Sequence, residues 1–448
     1  MKEQTLISKL DYFAETMPDS AAFSGTQGSI SWKDLQVEVL NCVRELEAFS
    51  DKRCLMFIKN NLLEELPLLI STSMIRGEFI LISSYHTLAR AQDLMVEFDA
   101  ENIISIENNK IQILASRAAT QKPFLPEPRL GILTSGTSGT PKCARHSWDR
   151  LAKAVVINPK FQNRKWMMSY HITNFAGLQV FLQCFLNGGC FTISKTWPSS
   201  WNDDIDLIDN HKVDYLNCTA TYSRKLILSM AHSSTNNVRG ITLGGEVVDQ
   251  ALIDYLKKKF QNAKIIHIYA STEMGSRIEV KDEQAGFSLS TINDKDIRIF
   301  EGEIQLKPSE RSMLSYLGKK NLPFGGDAES WISTGDLVEV SEGRVYFLGR
   351  KDLMINVGGF KVNPSTVEAV IRKIQGVAEV LVSGVKSPIS GNLVKATVVA
   401  ADGFNVDEVR VSIIKECKQK LPYYSVPRLF DFTDGLALTS SSKIKRSS

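Results

Sequence analysis

The sequence predicts an α/β protein with a large N-terminal domain, residues 1–349, and a small α+β C-terminal domain, residues 350–448. Three observations support this prediction. Short apolar runs alternate with helix-like segments from residue 53 to residue 273, turn-separated strands follow residue 275, and a short mixture of helices and apolar runs follows residue 350. Strand–helix alternation is typical of largely parallel sheets whose faces are covered by helices.

The alternating region contains a series of candidate strands. Segments between them, such as 249–260, place Leu252, Tyr255 and Leu256 at helical spacing. We therefore expect mixed, largely parallel sheets flanked by helices. The candidate strands are CLMFI, FILIS, NIISI, LGILT, KWMMSY, CFTIS, DYLNC, GITLG and IIHIY.

The region after residue 275 has a different pattern. LVEV, the turn SEG and RVYFLGR predict an antiparallel hairpin. Farther on, Asn363 and Pro364 suit the start of a helix, and two apolar runs, VAEVLVSGV and LVKATVVA, precede another helix. The apolar face of the first helix would consist of Val367, Val370, Ile371 and Ile374.

Composition and charge exclude several classes of protein. The chain has 448 residues, of which 43% are hydrophobic and 23% charged, as in ordinary globular proteins. Lys and Arg number 53 against 50 Asp and Glu, a net charge of +3. That balance creates no field strong enough to gather nucleic acid or an anionic membrane surface, so we expect neither as a partner.

Cysteine usage and the N-terminal segment predict a cytoplasmic protein. The seven cysteines are odd in number and include no C-x-x-C pair, so a disulfide framework is not expected. Residues 1–20 mix acidic and basic residues without a continuous apolar stretch. The most apolar region, residues 66–84, is interrupted by polar residues and is too short to span a bilayer.

The strongest single motif is LTSGTSGTPK, from Leu133 to Lys142, directly after an apolar strand. Its hydroxyl groups, its accessible backbone NH groups and its lysine suit the binding of a phosphate. It is not the P-loop of common NTPases, because Pro141 stands where that motif has a glycine. A flexible linker is the alternative, but linkers rarely follow a buried strand.

Four further segments follow this loop in a fixed order: YASTE (269–273), STGD (333–336), GRKDLMINVGGFKVNP (349–364) and LTSSSKIKR (438–446). Together with the loop they resemble the signature series of the adenylate-forming superfamily. This family contains acyl- and aryl-CoA synthetases, luciferases and the adenylation domains of peptide synthetases. The resemblance covers residues 130–446, and upstream only ISWKDLQVEVLNCVREL is similar to a family segment.

The resemblance implies that the chain binds ATP and Mg²⁺. Tyr269 would stack on adenine, Thr272 would contact the α-phosphate and Glu273 would hold Mg²⁺. Asp336 would bind the ribose hydroxyls with Arg350 nearby, although alone they could be a turn residue and a surface cation. The remaining ATP-binding candidates are Thr134, Ser135, Gly136, Thr137, Ser138, Gly139, Thr140, Lys142, Gly244, Gly245 and Glu246.

Thr272, Glu273 and Lys443 are the catalytic candidates. Activating a carboxylate with ATP brings two anions together, so cations must offset their repulsion. By resemblance, Lys443 would bridge the carboxylate and the α-phosphate, whereas in isolation it would be interpreted as a solvated charge.

The resemblance also implies that the C-terminal domain is mobile. Asp352 matches the family hinge, and Gly358 with Gly359 matches the segment that approaches the pantetheine thiol. Paired glycines also form ordinary tight turns, which is the alternative for the second assignment.

The acyl pocket is expected in SYHITNFAG. His171 matches a family position that lines the acid site, and Thr173, Asn174 and Phe175 are neutral lining candidates. A buried structural histidine is the alternative for His171. Residues 170–172 offer no aspartate to receive an α-amino group, so the sequence disfavours an α-amino acid as substrate. The neutral side chains of Thr173, Asn174 and Phe175 favour an aromatic or aliphatic carboxylic acid.

The predicted function is a two-step ligase. A small carboxylic acid and ATP would give an acyl-adenylate and pyrophosphate, and the thiol of coenzyme A or of an acyl carrier protein's phosphopantetheine would then take the acyl group. The alternative is a non-catalytic nucleotide-binding relative that has lost turnover. Its support is Cys143, Ala270 and Ser442, which replace common family glycines and would strain their loops if φ were positive. A kinase or simple NTPase is disfavoured because its motifs are absent.

Overall fold

The computed structural model describes residues 5–59, 61–120, 126–134, 141–193, 201–230, 237–317, 330–387 and 391–437. The chain divides into two units. The first unit contains the described residues of Met1–Ala285 and Pro308–Ser330, and the second contains those of Gly286–Lys307 and Trp331–Thr439. Residues 331–349 group with the second unit in this division, and the domain boundary expected at residue 350 stays a prediction.

The described helices and strands are numbered in chain order. The helices are α1 (Leu6–Thr16), α2 (Trp32–Leu46), α3 (Leu62–Ser71), α4 (Leu88–Glu97), α5 (Trp148–Ala152), α6 (Phe175–Phe185), α7 (Trp201–Asn210), α8 (Ala220–Ser229), α9 (Gln250–Lys259), α10 (Pro364–Ile371) and α11 (Val406–Lys420). The strands are β1 (Ala21–Gly25), β2 (Gly28–Ser31), β3 (Arg53–Ile58), β4 (Glu78–Ser83), β5 (Asn102–Glu107), β6 (Lys110–Ser116), β7 (Arg129–Thr134), β8 (Lys142–Ser147), β9 (Lys165–Met168), β10 (Cys190–Ile193), β11 (Tyr215–Cys218), β12 (Gly240–Gly244), β13 (Lys264–Ser271), β14 (Gly275–Val280), β15 (Phe287–Ser288), β16 (Ile297–Phe300), β17 (Glu303–Leu306), β18 (Ser315–Leu317), β19 (Ile332–Ser341), β20 (Arg344–Arg350), β21 (Ile355–Val357), β22 (Phe360–Val362), β23 (Val377–Ser387), β24 (Gly391–Ala400) and β25 (Leu429–Phe432).

The first unit contains two mixed sheets, one largely parallel and one with three parallel and three antiparallel pairs. One has eight strands in the order β14-β13-β12-β11-β9-β10-β1-β2, and only its two outer pairs are antiparallel. The other has seven strands in the order β18-β8-β7-β4-β3-β5-β6, with parallel pairing from β7 to β5. The predicted α/β class is confirmed, and each candidate strand of the alternating region corresponds to an observed strand.

Aromatic side chains fill much of the largest core of the first unit. Trp32, at the start of α2, packs against Phe13 of α1 and Phe185 of α6, with ring centroids 4.8 Å and 5.3 Å away. All three side chains are buried. A second core lies along β11, β12, α8 and α9 and includes Leu216 and Ile241. Removal of these apolar surfaces from water stabilises the packing of helices on the sheet.

The second unit is built from smaller sheets. Strands β15 to β20, except β18, form a five-stranded sheet, β21 pairs with β22, and β23, β24 and β25 form a three-stranded sheet. The predicted hairpin is β19–β20, and Gly358 and Gly359, with φ of +58° and +89°, form the turn between β21 and β22. Helix α10 begins as expected, because Asn363 Oδ1 accepts a hydrogen bond from Ser365 N at 3.0 Å. It ends at Ile371, so Ile374 packs against the core from beyond the helix.

Two further expectations concern the cysteines and the membrane. All seven cysteines are free thiols and all are buried, so the expected lack of a disulfide framework is confirmed. Within the described ranges, no helix is long and apolar enough to cross a bilayer.

Candidate active site

Several predicted site residues of the first unit follow the carboxyl ends of its parallel strands. Thr134 ends β7, His171 follows β9, Gly244 ends β12 and Tyr269 lies near the end of β13. Ligands of open α/β sheets bind beyond the carboxyl ends of the strands, because loops and helix N-termini converge there. The topology therefore gives these residues the position that a nucleotide site requires.

The YASTE segment forms the end of β13 and the turn into β14. Gly275 begins β14 with φ of +76°, and a Cβ atom there would lie 2.7 Å from the carbonyl oxygen of Arg311. Met313 N donates a hydrogen bond to Glu273 O at 2.8 Å. Close packing against residues 311–313 therefore fixes the backbone that carries Thr272 and Glu273.

A tyrosine that sequence reasoning missed links Glu273 to the glycine-rich segment. Tyr316 of β18 donates its hydroxyl hydrogen bond to Glu273 Oε1 at 2.9 Å. Lys142, the last residue of the predicted phosphate loop, has its Nζ 5.4 Å from the centroid of the same ring. Burial and the adjacent carboxylate raise the pKa of Tyr316, so the phenol stays protonated and remains a donor.

A buried histidine that sequence reasoning also missed holds Thr272. His146 Nε2 lies 2.9 Å from the carbonyl oxygen of Thr272. Because a carbonyl oxygen only accepts, Nε2 carries the proton of the ring. Burial lowers the pKa of His146 to about 4, so the ring is neutral at pH 7. The Thr272 backbone is thereby tied to β8, the strand that begins at Lys142.

His171 lies in a buried cluster that joins the two sheets of the first unit. Thr173 N donates to His171 Nδ1 at 3.3 Å, and Thr173 Oγ1 lies 2.8 Å from the same atom. On the other side of the ring, Ser83 Oγ of β4 lies 3.3 Å from Nε2. The ring of Tyr85 meets that of His171 edge to face, with centroids 5.9 Å apart. Ser83 and Tyr85 were not predicted from the sequence.

The other predicted pocket residues lie at the start of α6. Asn174 is the N-cap residue, and Phe175 is buried with its ring centroid 5.7 Å from that of His146. A Cβ atom on Gly177 would lie only 2.3 Å from the carbonyl oxygen of His171, so only glycine permits this approach of α6. The packing therefore places Phe175 beside the histidine that holds Thr272.

The Gly244–Gly245–Glu246 segment is hydrogen-bonded to the start of α8. Gly245 has φ of +79°, a conformation that favours glycine. Glu246 accepts hydrogen bonds from Thr221 N at 2.7 Å and from Thr221 Oγ1 at 3.0 Å, at the N-terminus of α8. A carboxylate is favourable there because it satisfies helix NH groups. A direct contact between Glu246 and the nucleotide stays a prediction.

Asp336, Arg350 and Asp352 form a charged cluster within the second unit. Asp336 of β19 is opposite Arg350 of β20, and Arg350 Nη1 lies 3.5 Å from Asp336 Oδ1. Arg350 also donates to Asp352 Oδ1 and Oδ2 at 3.1 Å and 3.4 Å and to the carbonyl oxygen of Thr334 at 3.0 Å. Gly335 has φ of +79°, and a Cβ atom there would lie 3.1 Å from Arg350 Nη2. The STGD glycine therefore makes room for the guanidinium.

Two of the three departures from the family glycines cause no backbone strain. Neither Cys143 nor Ala270 has a positive φ. Cys143 Sγ lies 2.8 Å from where a Cβ atom on Gly131 would stand, so a glycine on the neighbouring strand accommodates the thiol. Burial raises the pKa of Cys143, so its position next to Lys142 does not make it a reactive thiolate.

Some predicted residues lie outside the described residues. They comprise most of the glycine-rich loop and the catalytic candidate of the C-terminal tail, namely Ser135, Gly136, Thr137, Ser138, Gly139, Thr140 and Lys443. Ser442, the third departure from a family glycine, also lies outside the described residues.

Comparisons with known proteins agree with this arrangement. Residues 86–292 match the model of the AMP-binding enzyme family, and residues 366–443 match that of the AMP-binding enzyme C-terminal domain. A 2-succinylbenzoate–CoA ligase of Listeria monocytogenes serotype 4b is 25% identical over 327 residues, which cover 70% of this chain and 68% of that protein.

Solved structures share the fold. The anthranilate CoA ligase AuaEII, in complex with anthranoyl-AMP, superposes with a TM-score of 0.79 at 15% identity and covers 98% of this chain and 95% of its own. The o-succinylbenzoate coenzyme A synthetase of Bacillus subtilis, with ATP and magnesium, has a TM-score of 0.74 at 18% identity, with coverages of 97% and 98%. From the two family models and the ligase relatives, we conclude that the chain belongs to the adenylate-forming superfamily and is an AMP-forming acid–thiol ligase.

Proposed function

We propose that the chain activates a small aryl or aliphatic carboxylic acid with ATP and transfers the acyl group to coenzyme A. In the first step, a carboxylate oxygen attacks the α-phosphorus and pyrophosphate leaves. In the second step, the thiolate attacks the acyl carbon and AMP leaves. Relatives that are CoA ligases for cyclic carboxylic acids support both the acid class and the acceptor.

The observation that carries the proposal is the linkage of Lys142, Tyr316 and Glu273 at the edge of the first unit's sheets. It brings a cation from one motif near the ring of Tyr316 and a carboxylate from another motif to the hydroxyl of the same residue. His146 fixes the intervening Thr272 backbone. A nucleoside triphosphate needs such a cation and such a carboxylate, because its phosphates require a cation and its magnesium ion requires a carboxylate.

Magnesium binding fits Glu273. One carboxylate oxygen accepts from Tyr316, and the second has no partner among the described residues. No group of three or more potential ligand side chains occurs in the described part of the chain. Magnesium in nucleotide sites is held by one or two carboxylates together with phosphate oxygens, so this arrangement suits it. The ion would offset charge on the phosphates.

Binding of the nucleoside is assigned by the family resemblance. Tyr269 stacks on the adenine, Thr272 contacts the α-phosphate and Asp336 accepts hydrogen bonds from the ribose hydroxyls, with Arg350 beside it. The loop of residues 134–142 and the segment 244–246 complete the ATP site. The geometry supports the role of Asp336, since Arg350 holds its carboxylate at the end of a hairpin.

Lys443 carries the chemistry of the first step in this proposal. Its ammonium group bridges the attacking carboxylate and the α-phosphate and so lowers their repulsion. The C-terminal domain then turns about Asp352 and brings Gly358 and Gly359 towards the pantetheine. The contact of Asp352 with Arg350 supports a switching role, because a backbone rotation at Asp352 would change this ion pair.

The acceptor and the cellular location are also proposals. Coenzyme A is favoured over the phosphopantetheine of an acyl carrier protein because the relatives are CoA ligases. A cytoplasmic location agrees with seven free cysteines. The non-catalytic alternative has no support in the comparisons, and Cys143 and Ala270 do not strain their backbones.

Acid-dependent exchange of pyrophosphate into ATP tests the first step. A panel of substituted benzoic, aryl-alkanoic and alicyclic acids should contain at least one that supports exchange. Lys443→Ala should lower its rate by a factor on the order of 10² to 10³, because a charge positioned for the transition state is lost. Lys445→Ala, two residues away, is the matched control.

Two outcomes would contradict the proposal. No exchange with the panel, despite tight ATP binding, would favour the non-catalytic alternative. An equal loss in Lys443→Ala and Lys445→Ala would show that the tail acts through its general charge. Thioester formation with coenzyme A but not with a phosphopantetheinylated carrier protein would establish the acceptor.

A further inference from the structure

Ser83 is a buried hydroxyl at the carboxyl end of β4. Only 5% of the residue is exposed, and its Oγ lies 3.3 Å from His171 Nε2. The neighbouring Tyr85 is 47% exposed and its ring borders the same imidazole. A buried polar group therefore lies beside a half-exposed rim, close to the predicted acyl pocket.

The hydrogen bonds around His171 determine which atom donates to Ser83. Thr173 N donates to Nδ1 at 3.3 Å, and we therefore assign Nδ1 as an unprotonated acceptor, to which Thr173 Oγ1, 2.8 Å away, is a second donor. Burial lowers the pKa of His171 to about 4, so the ring is neutral and its single proton resides on Nε2. Nε2–H therefore donates to Ser83 Oγ.

Ser83 Oγ accepts a second hydrogen bond. Tyr85 N donates to it at 3.3 Å. A hydroxyl oxygen has two lone pairs and one proton, so these two donors occupy its accepting capacity and leave the proton to be donated. No acceptor for that proton occurs among the described residues. A buried donor without an acceptor is unfavourable, and a ligand that supplied one would be selected.

We propose that Ser83 donates a hydrogen bond to a neutral acceptor oxygen on the acid substrate. The acid thus carries a carbonyl, hydroxyl or ether oxygen in addition to its carboxyl group. The acceptor is neutral because the groups that contact Ser83, the His171 ring and the Tyr85 backbone, carry no charge, and a buried second carboxylate would lack a cation. This inference rests on the proposed function, which assigns His171 to the acyl pocket.

Binding of acyl-adenylate mimics tests the inference without turnover. The probes are acyl sulfamoyladenosines made from the ortho, meta and para isomers of acetylbenzoic acid and isopropylbenzoic acid. The two substituents match in shape, but only acetyl has an acceptor oxygen. At one ring position or more, the acetyl mimic should bind the full-length protein about tenfold more tightly by calorimetry, the effect of one hydrogen bond.

Variants of Ser83 separate a specific contact from a structural role. In Ser83→Ala the ratio of acetyl to isopropyl affinity should fall to about one, and in Ser83→Cys, with its weak S–H donor, the ratio should be intermediate. If Ser83→Ala does not fold, Ser83→Cys carries the comparison. A ratio that stays the same in the folded variants would overturn the inference.

Other outcomes distinguish failure of the inference from failure of the proposed function. Ratios near one in the wild type at all three ring positions would overturn the inference alone, as would tighter binding of mimics that carry a carboxylate in place of acetyl. Acyl mimics that bind no better than unacylated sulfamoyladenosine would also overturn it, with nucleotide binding retained. If unacylated sulfamoyladenosine and ATP also fail to bind, the proposed function fails.

Discussion

The carboxylates of Glu273 and Asp336, one in each unit, have different partners. Glu273 accepts a hydrogen bond from the neutral phenol of Tyr316, and no salt bridge to it occurs among the described residues. Asp336 lies 3.5 Å from the guanidinium of Arg350. A neutral donor orients a carboxylate and leaves its charge for a dication, whereas an adjacent guanidinium offsets that charge. The difference supports the proposed roles, in which Glu273 holds magnesium and Asp336 accepts hydrogen bonds from neutral hydroxyls.

The largest effect should follow removal of the charge at Glu273. Glu273→Gln keeps a hydrogen-bond acceptor for Tyr316 but loses the anionic ligand, so the exchange rate should fall by about a hundredfold. The magnesium concentration for half-maximal rate should rise. Tyr316→Phe retains the carboxylate and should cost less.

Glu279→Gln is the control for this prediction, since Glu279 lies on β14 and pairs with Lys281. A magnesium dependence that is unchanged in Glu273→Gln would remove the proposed distinction between the two carboxylates.

A smaller effect is expected at the second carboxylate. Asp336→Asn can still accept a hydrogen bond but is a weaker partner for ribose hydroxyls, so the KM for ATP should rise about tenfold with a smaller change in kcat. The magnesium dependence should stay as in the wild type. Glu339→Gln, an exposed position on the same strand, is the matched control. A higher magnesium concentration for half-maximal rate in Asp336→Asn would contradict the prediction, because it would show that Asp336 also affects magnesium binding.

The smallest effect is expected on the pH dependence of stability that the neutral His146 of the first unit causes. Burial lowers the pKa of His146 to about 4 from an ordinary value of 6.5. Between these values the unfolded chain binds more protons, so the stability that this histidine provides is complete above pH 6.5 and is lost as the pH falls towards 4. His146→Gln, which retains an NH donor for Thr272, should reduce the dependence by about 1.4 kcal/mol per pH unit.

Thermal unfolding between pH 4.5 and 7.5 measures this dependence. His211→Gln, a control at a less buried histidine, should change it less. An unchanged slope in His146→Gln would show that the imidazole is not desolvated in the native state. His171 titrates in the same window, so the double variant should have a shallower slope than either single one.

Local patterns predicted much of the fold because a buried parallel strand is a continuous apolar run. β3, β4 and β5 were each recognisable from their own residues. The order in which the strands pair was not recognisable from the sequence. For example, β1 lies beside β10 and β18 lies beside β8. Those pairings depend on packing between distant segments, and no local period encodes them.

The site divides in the same way. Glu273 was recognisable because it lies in a motif, whereas Tyr316 lies in a three-residue strand with no distinctive pattern. His146 and Ser83 reach their partners across 126 and 88 residues of chain. A single polar side chain on a strand gives no sequence signal of its partner, so these contacts could not be predicted.

By itself, the order of motifs determined the family and the class of reaction, because chemistry at phosphates requires particular residue types at short, fixed spacings. Tertiary structure decided which polar groups meet: His146 contacts the carbonyl oxygen of Thr272, Tyr316 donates to Glu273, and Ser83 lies beside His171. Hydrogen-bond direction depends on every group that surrounds an atom, and only the folded chain brings those groups together.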